Sequence, residues 1–409
     1  MSNQRFPEVL APAGDLSRLI AAVDFGADAV YVGGKAFSMR NASANFDEDD
    51  LLRGVQYAHA NGARVYLACN TLPHCEEAEQ LEGYFSFVKD SGVDAVIASD
   101  IGVLGLARRC MPEMELHIST QAGVVNHLAA NELYAMGARR VVLARELSLR
   151  EIRYIRDHTP PNLALEVFVH GAMCVSFSGR CLLSSYIAGR DANRGECAQP
   201  CRWRYSLTEE KRPNEHYPIF EDDGGTYILN AKDLCMIEHI PELIDAGVSS
   251  LKIEGRAKSD YYVSVITGAY RMAVDGYRND PQNYKTEQWL IDEVHKVSHR
   301  QYGTGFFFGQ PDNGQYYETG GYVRDYDVVA VVEDWQDGTA FCIQRNKLYM
   351  GDEVEVLAPR SKPFDLTVTR LLSAEGEEIE STPHPMMRFS MPCPTPVKKG
   401  TVIRRRAKP

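Results

Sequence analysis

Four cysteines stand in two closely spaced pairs and carry the strongest chemical signal in this sequence. Cys174 and Cys181 occur in GAMCVSFSGRC, and Cys197 and Cys201 occur in GECAQPC, with six and three residues inside the pairs. Clustered thiolates suit zinc or an iron–sulfur cluster. Zinc knuckles favour two residues between paired cysteines. The wider spacing here favours a loop around a larger iron–sulfur cubane, with zinc or unligated redox thiols as the alternatives.

Cys235, in KDLCMIEHI, is a fifth candidate ligand. The segment is predicted to begin an apolar helix, where a buried thiol is an ordinary core residue. We therefore predict that the fourth ligand is Cys201 rather than Cys235. The remaining cysteines are scattered and are predicted to be structural: Cys69, Cys75, Cys110, Cys342 and Cys393.

The cysteine pairs are embedded in a basic and aromatic stretch that holds only two acidic residues, Asp191 and Glu196. Arginines and aromatic faces together suit phosphate contact and base stacking on single-stranded RNA. The alternative is a loop whose arginines form salt bridges with surrounding acids. The residues predicted to contact RNA are Arg180, Arg194, Arg202, Trp203 and Arg204.

Further polar residues follow other predicted strands, where barrel enzymes place their chemistry. Arg145 in LARE and Arg256 in KIEGR could bind an anionic small substrate through bidentate guanidinium contacts. His170, next to the cysteine segment, could act in acid–base chemistry or support the cysteines. The predicted catalytic residues are His170, Glu254, Arg256 and Arg145, and structural hydrogen bonds or helix caps are the alternative roles. Further candidates of the same kind are Asn70, Asp100, His117, Gln121, Glu146, Glu166 and Lys232.

Eight short apolar runs, each followed by a helix-like segment, would position these residues. The helix-like segments end in Gly before the next run, as in FGADAV, SGVDAV, MGARRV and AGVSSL. This alternation predicts a TIM-like (β/α)₈ barrel, with an open doubly wound sheet as the alternative. No GxGxxG follows the first run, so dinucleotide binding has no support. The predicted strands are Glu8–Leu10, Ala29–Val32, Arg64–Ala68, Ala95–Ala98, Leu116–Ser119, Val141–Ala144, Leu165–Val169 and Leu251–Ile253.

The chain is predicted to form two domains. Residues 1–304 would form the barrel, with a cysteine-rich insertion at 171–250 that includes an extra strand candidate at Tyr227–Leu229. Residues 305–409 alternate as β-strands and predict a small all-β, barrel-like domain of five to seven strands, with an Asp-Gly hairpin turn in EDWQDGTAF. The last segment, VKKGTVIRRRAKP, carries six basic residues and is either a solvated end or a phosphate-backbone contact.

Composition sets outer limits on function. The 409 residues carry 44 basic and 56 acidic side chains, and this net charge of −12 argues against a protein coated in basic charge. A signal peptide and a membrane-spanning apolar run are not apparent, so we predict a cytoplasmic protein. The sequence has no GxSxG, HExxH or Walker motif.

The segment EVFVHGAMCVSFSGRCLLS, from Glu166 to Ser184, resembles the signature of the collagenase-like peptidase family U, group 32, whose catalytic type is unknown. APAGD, GADAVYVGG, ISTQAGVVN and SLKIEGRAKSDYYV also resemble this family. The likeness covers roughly residues 5–305.

This resemblance implies oxygen-independent hydroxylation. GRDANRGECAQPCRWRY, GTYILNAKDL and the appended β domain look most like the branch that converts the tRNA wobble uridine to 5-hydroxyuridine, with prephenate as hydroxyl source. The resemblance implies that Cys174, Cys181, Cys197 and Cys201 bind a 4Fe–4S cluster and that the anticodon arm of tRNA is the partner. The alternatives are a peptidase, a hydroxylase of a ribosomal RNA cytidine or of ubiquinone precursors, and an RNA-binding module with structural zinc.

Overall fold

The chain folds into a closed barrel of eight parallel strands followed by an antiparallel sheet domain. The structure is a computed structural model that describes residues 6–38, 45–174, 176–203, 220–222, 225–227, 232–309 and 323–407. Each barrel strand pairs with the next, and the eighth pairs with both the seventh and the first, which closes the ring. The barrel strands are β1 (Glu8–Pro12), β2 (Ala29–Gly33), β3 (Arg64–Cys69), β4 (Ala95–Ala98), β5 (Glu115–Ile118), β6 (Arg140–Val142), β7 (Ala164–Ala172) and β11 (Ser250–Ile253). The predicted barrel is confirmed.

Helices surround the barrel, and their ends follow the chemistry of their boundary residues. Asp15, Asp100, Ser148 and Ser259 each accept a backbone hydrogen bond at a helix start. The glycines predicted to end four helices all take positive φ. The helices are α1 (Leu16–Asp24), α2 (Glu48–Ala60), α3 (Cys75–Ala78), α4 (Leu81–Asp90), α5 (Ile101–Cys110), α6 (His127–Ala135), α7 (Leu149–Asp157), α8 (Leu183–Ala188), α9 (Ile240–Asp245), α10 (Asp260–Asn279) and α11 (Gln288–Val294). None of these helices, within the described ranges, is long and apolar enough to cross a membrane.

The predicted insertion separates β7 from β11 and adds strands outside the ring. β8 (Phe220–Asp222) and β9 (Gly225–Tyr227) form a separate antiparallel pair. β10 (Asp233–Cys235) runs antiparallel to β7, and β12 (Tyr302–Gly303) pairs with β10. The strand candidate at 227–229 is shifted, because Tyr227 ends β9 and residues 228–229 lie outside the described part.

The barrel interior combines a small apolar cluster with a chain of buried charges. Glu166 on β7 accepts hydrogen bonds from Lys252 Nζ at 2.7 Å and from Arg140 Nη1 at 2.8 Å. Arg140 also pairs with Glu8, which Arg64 contacts from the barrel's outer end. Burying four charged groups is tolerated only because each has an opposite charge within hydrogen-bond distance.

The C-terminal domain is one seven-stranded antiparallel sheet in the order β16-β15-β19-β13-β14-β18-β17. The predicted hairpin joins β13 and β14, and Asp337 and Gly338 at its turn both have positive φ. In the described pairings the end strands β16 and β17 do not meet, and the barrel-like shape expected for this domain stays a prediction. The strands are β13 (Tyr326–Gln336), β14 (Thr339–Gln344), β15 (Glu353–Leu357), β16 (Phe364–Thr367), β17 (Leu372–Ser373), β18 (Arg388–Pro392) and β19 (Val402–Arg406).

The boundary between the two cores lies later in the chain than residue 305. Phe307 is 5% exposed and packs in the barrel core, and its carbonyl accepts a hydrogen bond from the Leu149 amide. The first strand of the second core begins at Tyr326. Residues up to 309 therefore belong structurally to the barrel.

A buried ion cluster joins the domains. Arg404 on β19 is fully buried and contacts Glu293 of α11 and Glu355 of β15, at 2.5 and 2.6 Å. Lys296 approaches Glu355 at 2.8 Å. Because these partners come from both domains, the cluster fixes how the sheet sits against the barrel.

Replacing Glu166 by Gln should destabilise the protein in a pH-dependent way. Burial favours the neutral acid, but the charges of Lys252 and Arg140 outweigh it and lower the pKa of Glu166 to about 2. A lowered folded-state pKa contributes stability above the unfolded pKa, and this contribution is lost as pH falls from about 4.5 towards 2. We expect Glu166→Gln to cost about 3–5 kcal/mol at pH 7, from loss of one member of a buried ion network.

Thermal unfolding of the wild type and the variant at pH 7 and pH 3.5 checks this expectation. The gap in melting temperature should narrow at the lower pH. Glu132→Gln, on an exposed face of α6, is the matched control and should leave the melting temperature unchanged. An equal gap at both pH values would contradict the assigned ionisation of Glu166.

Candidate functional site

A cavity of about 160 Å³ lies at the carboxyl ends of the barrel strands. Its floor is built from inward-facing barrel residues, including Tyr31, Phe168 and Lys252. The described insertion residues after β7 form its cover. The lining includes Asn70, Ser119, Gln121, Arg145, Glu254 and Arg256 together with Cys174, Cys181, Cys197 and Cys201. The structure therefore brings the four predicted cysteines and three of the four predicted catalytic residues to one cavity.

The cysteine loop, residues 173–203, is held at the barrel mouth by Glu146 and Gln121. Both are polar residues that were predicted to follow barrel strands. Glu146 accepts hydrogen bonds from the backbone amide and the hydroxyl of Ser178, at 2.7 and 2.8 Å. Arg180 Nε donates to the Gln121 carbonyl at 2.6 Å. These contacts tie the first half of the loop to the residues that follow β5 and β6.

Two further contacts fasten the loop to itself. The Asn193 side chain accepts from the Cys181 amide at 3.3 Å and donates to the Cys181 carbonyl at 3.2 Å. The buried Ser184 hydroxyl accepts from the Ala198 amide at 3.0 Å. These contacts tie Cys181 to Asn193, and they tie α8 to the segment that carries Cys197 and Cys201.

The thiols have surroundings that suit anionic sulfur. The Leu183 amide donates to Cys181 Sγ, and the Gln199 amide donates to Cys197 Sγ, both at 3.4 Å. Backbone N–H groups aimed at sulfur stabilise thiolates and tune iron–sulfur clusters. Cys174 is exposed and the other three are partly buried. Within the described ranges, no three His, Cys, Asp or Glu side chains are grouped closely enough for a single metal ion.

Cys235 lies elsewhere. It ends β10, opposite His170 of β7, and not in the helix predicted for this segment. It is not among the described residues that line the cavity. Burial raises the pKa of its thiol to about 12, and Tyr270 is its hydrogen-bond partner.

Arg256 is the most constrained of the cavity cations. It is 3% exposed, and its guanidinium donates to the Ser38 hydroxyl at 2.7 Å and to the Asn45 side chain at 3.3 Å. A Cβ built on Gly33 would lie 2.4 Å from Arg256 Nη1, so only glycine fits there. A Cβ on Gly14 would lie 2.3 Å from the Arg256 carbonyl. The glycines of APAGD and YVGG therefore make room for this arginine.

Arg145 and Glu254 form a second charged group in the cavity. Arg145 Nη2 lies 3.5 Å from Glu254 Oε2, and Nη1 donates to the Ala172 carbonyl at 2.9 Å. The guanidinium carbon sits 3.8 Å from the centre of the Phe168 ring. Arg145 Nε and Gln121 Nε2 are buried and have no hydrogen-bond partner among the described residues. Buried polar atoms of this kind indicate room for a polar ligand.

Lys252, the third cation of the cavity, was not among the site residues predicted from the sequence. Lys252 Nζ is held by Glu166 and lies 4.5 Å from the centre of the Tyr31 ring. The signal was present in LKIEGR, because side chains alternate along a strand and Lys252, Glu254 and Arg256 fall on one face. The cavity thus holds three cations and one anion from the four charged residues in its lining.

The structure places His170 outside the cavity. The register between β7 and β11 shifts so that Lys252 pairs with Phe168 but Ile253 pairs with His170. This irregularity turns His170 towards the helices, where its ring nitrogens contact the hydroxyls of Tyr302 at 3.1 Å and Tyr270 at 3.4 Å. Burial lowers its pKa to about 3, so it is neutral at pH 7. A structural role fits this position, and acid–base chemistry in the cavity does not.

The remaining polar candidates divide between the cavity and the scaffold. Asp100 caps α5, His117 pairs with Glu115 inside the barrel at 2.8 Å, and Lys232 lies against Gly303 of β12. Asn70 and Gln121 line the cavity. Glu146 and Glu166 support residues of the cavity. Glu146 holds the cysteine loop through Ser178, and Glu166 holds Lys252.

The predicted RNA contacts have mixed outcomes. Arg194 forms a salt bridge with Glu77, the alternative foreseen for these arginines. Arg180 is exposed and contacts a backbone carbonyl, and Trp203 is 40% exposed with its Nε1 donating to the Ala198 carbonyl at 3.0 Å. The Arg202 side chain and the whole of Arg204 lie outside the described residues.

Exposed apolar and aromatic side chains surround the cysteine loop. Tyr186 is 82% exposed, which is unusual for a large ring on a short helix. Its exposed neighbours in sequence are Phe177, Leu182, Ile187 and Trp203. We call these five residues the loop patch.

The chain is similar in sequence to several proteins that are named for RNA hydroxylation. It is 37% identical to tRNA hydroxylation protein P1 of Bacillus subtilis (strain 168), over 93% of this chain and 90% of that protein. It is 35% identical to tRNA hydroxylation protein P of Escherichia coli (strain K12), over 95% and 94%. The 23S rRNA 5-hydroxycytidine C2501 synthase of the same strain is 38% identical, over 72% of this chain and 44% of that protein.

Two family profiles cover almost the whole chain. The profile of Peptidase family U32 matches residues 14–316, which include the cysteine loop and every barrel strand except β1. The profile of the Peptidase family U32 C-terminal domain matches residues 324–404, which form the antiparallel sheet. The chain therefore belongs to Peptidase family U32.

Proposed function

We propose that this protein hydroxylates RNA, and that its substrate is the wobble uridine of tRNA, converted to 5-hydroxyuridine with prephenate as hydroxyl source. The observation that carries the proposal is the single cavity lined by four cysteines and three cations. Relatives named as tRNA hydroxylation proteins align over more than 90% of the chain, including the C-terminal domain.

Cys174, Cys181, Cys197 and Cys201 would hold a 4Fe–4S cluster. Amides directed at Cys181 Sγ and Cys197 Sγ suit sulfur that carries negative charge, and all four cysteines line the same cavity. When bound, such a cluster supplies one-electron chemistry. The reducing cytoplasm predicted for this protein would keep the four thiols available.

Prephenate is a dicarboxylate. It would be bound by Arg256, Arg145 and Lys252. They are 3–11% exposed, so water screens their charges little and each contact with a carboxylate is strong. Glu254 offsets one of the three charges and fixes Arg145 in place. Because Glu166 already pairs with Lys252, the charge that remains to hold a dianion comes mainly from Arg256 and Arg145.

The loop patch would receive the RNA bases. Phe177, Tyr186 and Trp203 offer exposed rings beside the cavity, and base stacking on such rings is worth about 1–3 kcal/mol per base. Phosphates would be contacted by Arg180 and by arginines of the same loop. An anticodon loop presents unstacked bases, which is the form of RNA that proteins read most readily.

Peptidase activity has less support. In the described residues the cavity contains Ser119, Ser176 and Ser178 but no histidine in its lining, and His170 faces away from it. A serine or cysteine nucleophile would need such a base within hydrogen-bond reach. Hydroxylation of a ribosomal RNA cytidine is the second candidate, because a relative with that name aligns over 72% of the chain.

The iron content of single serine variants tests the assignment of the cluster ligands. Protein reconstituted without oxygen should hold about four iron and four sulfide per chain. Cys201→Ser should lose most of this iron, since its sulfur lines the cavity. Cys235→Ser is the matched control and should keep it, because that thiol is buried against Tyr270. Loss of iron in Cys235→Ser with retention in Cys201→Ser would reverse the assignment.

Nucleoside mass spectrometry tests the proposed reaction. The wild-type gene, introduced into a bacterial strain whose tRNA lacks 5-hydroxyuridine, should restore this nucleoside. Arg256→Ala should reduce it at least tenfold, because a charge-assisted contact contributes about 1.5–3 kcal/mol. Arg153→Ala, on the exposed face of α7, is the control and should behave as wild type.

Three outcomes would contradict parts of the proposal. Unmodified tRNA in cells that contain iron-loaded protein would exclude tRNA uridine as the substrate. Appearance of 5-hydroxycytidine in ribosomal RNA instead would favour the second candidate. Wild-type modification by Arg256→Ala would remove this residue from the substrate site.

A further inference from the structure

A second, larger cleft separates the barrel from the C-terminal sheet. Its volume is about 1230 Å³, above the range of roughly 300–1,000 Å³ that is usual for pockets of small molecules. Its barrel wall is formed by α1 and the start of α10, and its other wall by β13 and by residues 398–400. An extended ligand fits these dimensions better than a metabolite.

Basic side chains outnumber acidic side chains in the lining of the cleft. Six basic side chains face three acidic ones across its described lining. The basic residues are Lys258, Arg324, Arg345, Arg360, Lys398 and Lys399. All but Lys258 are exposed. On a protein with a net charge of −12, this is a local reversal of sign.

The three acids are already engaged. Asp24 accepts a hydrogen bond from the Tyr57 hydroxyl at 2.5 Å, and Glu333 pairs with Arg388 at 3.0 Å. Asp260 accepts from the Tyr261 amide at 2.9 Å. Burial raises the pKa of Asp24, and the nearby charges of Lys399 and Lys398 act against this rise, so the two lysines face one carboxylate of the cleft without an ion pair to it among the described contacts.

The basic C-terminal segment divides into two parts with different roles. Arg404 is buried in the domain interface, and Arg405 pairs with Asp352, so these arginines are structural. Lys398 and Lys399 instead project at an exposed turn into the cleft. Among the described residues of this segment, the exposed basic side chains are Lys398, Lys399 and Arg406, and the two lysines are the ones that line the cleft.

The cleft and the cavity share the segment that joins β11 to α10. Arg256 lines the cavity, while Ala257 and Lys258 line the cleft. A polyanion in the cleft would therefore pass the rim of the cavity.

We propose that this cleft binds the phosphate backbone of the RNA substrate at a distance from the modified nucleotide. The inference rests on the proposed function and gives the C-terminal domain a role in it. Lys398 and Lys399 would contact phosphates on the far wall, and Lys258 would guide the strand towards the cavity. Charge complementarity favours RNA over an apolar or basic protein segment.

Salt-dependent binding of an unmodified tRNA transcript tests the proposal. Each phosphate contact contributes roughly 0.7–0.9 to the slope of log affinity against log salt, so the double reversal Lys398→Glu, Lys399→Glu should lower the slope by about 1.4–1.8. Affinity at low salt should fall as well. Both lysines are exposed, so the variant should fold and retain its iron.

The matched control is Lys89→Glu with Arg370→Glu, the same charge change at exposed positions outside the cleft lining. This control should keep the wild-type slope. An equal slope for all three proteins would overturn the inference and leave the cleft to a protein partner, without touching the proposed function. Absence of tRNA binding by the wild type would overturn both.

Discussion

A buried carboxylate organises the centre of this molecule. Glu166 lies between Arg140 and Lys252 inside the barrel, and none of the three charges could be buried without the others. Glu166 fixes the ammonium group of Lys252 inside the barrel at 2.7 Å. Glu254 and Arg256 follow Lys252 at alternate positions, so all three side chains reach the same cavity.

The cysteine loop depends on the same barrel mouth. Glu146 and the Gln121 carbonyl fasten the loop to residues that follow β6 and β5, so Cys181, Cys197 and Cys201 are partly buried beside the cations, while Cys174 remains exposed. The cavity that we propose for the cluster and the anion therefore combines the four cysteines with three cations. The C-terminal sheet, locked to the barrel through Arg404, adds a basic cleft at the edge of this arrangement.

Much of the fold could be predicted from the sequence, because the spacing of apolar residues and the glycines at helix ends are local patterns. Eight apolar runs with glycine stops identified the barrel, and cysteine spacing identified the loop. Lys252 was missed although strand alternation places it beside Glu254 and Arg256. His170 could not have been placed, because a register shift between β7 and β11 turns it outwards, and pairing between distant strands leaves no local pattern. The position of Cys235 depended on β10 pairing with β7 for the same reason.

The central claim is that cluster and dicarboxylate would occupy one cavity. Electron paramagnetic resonance of the reduced, reconstituted protein, with and without prephenate, tests it most directly. The account predicts that prephenate shifts the cluster signal of the wild type and not that of Arg256→Ala. A signal from the intact wild-type cluster that saturating prephenate leaves unchanged would contradict a shared cavity.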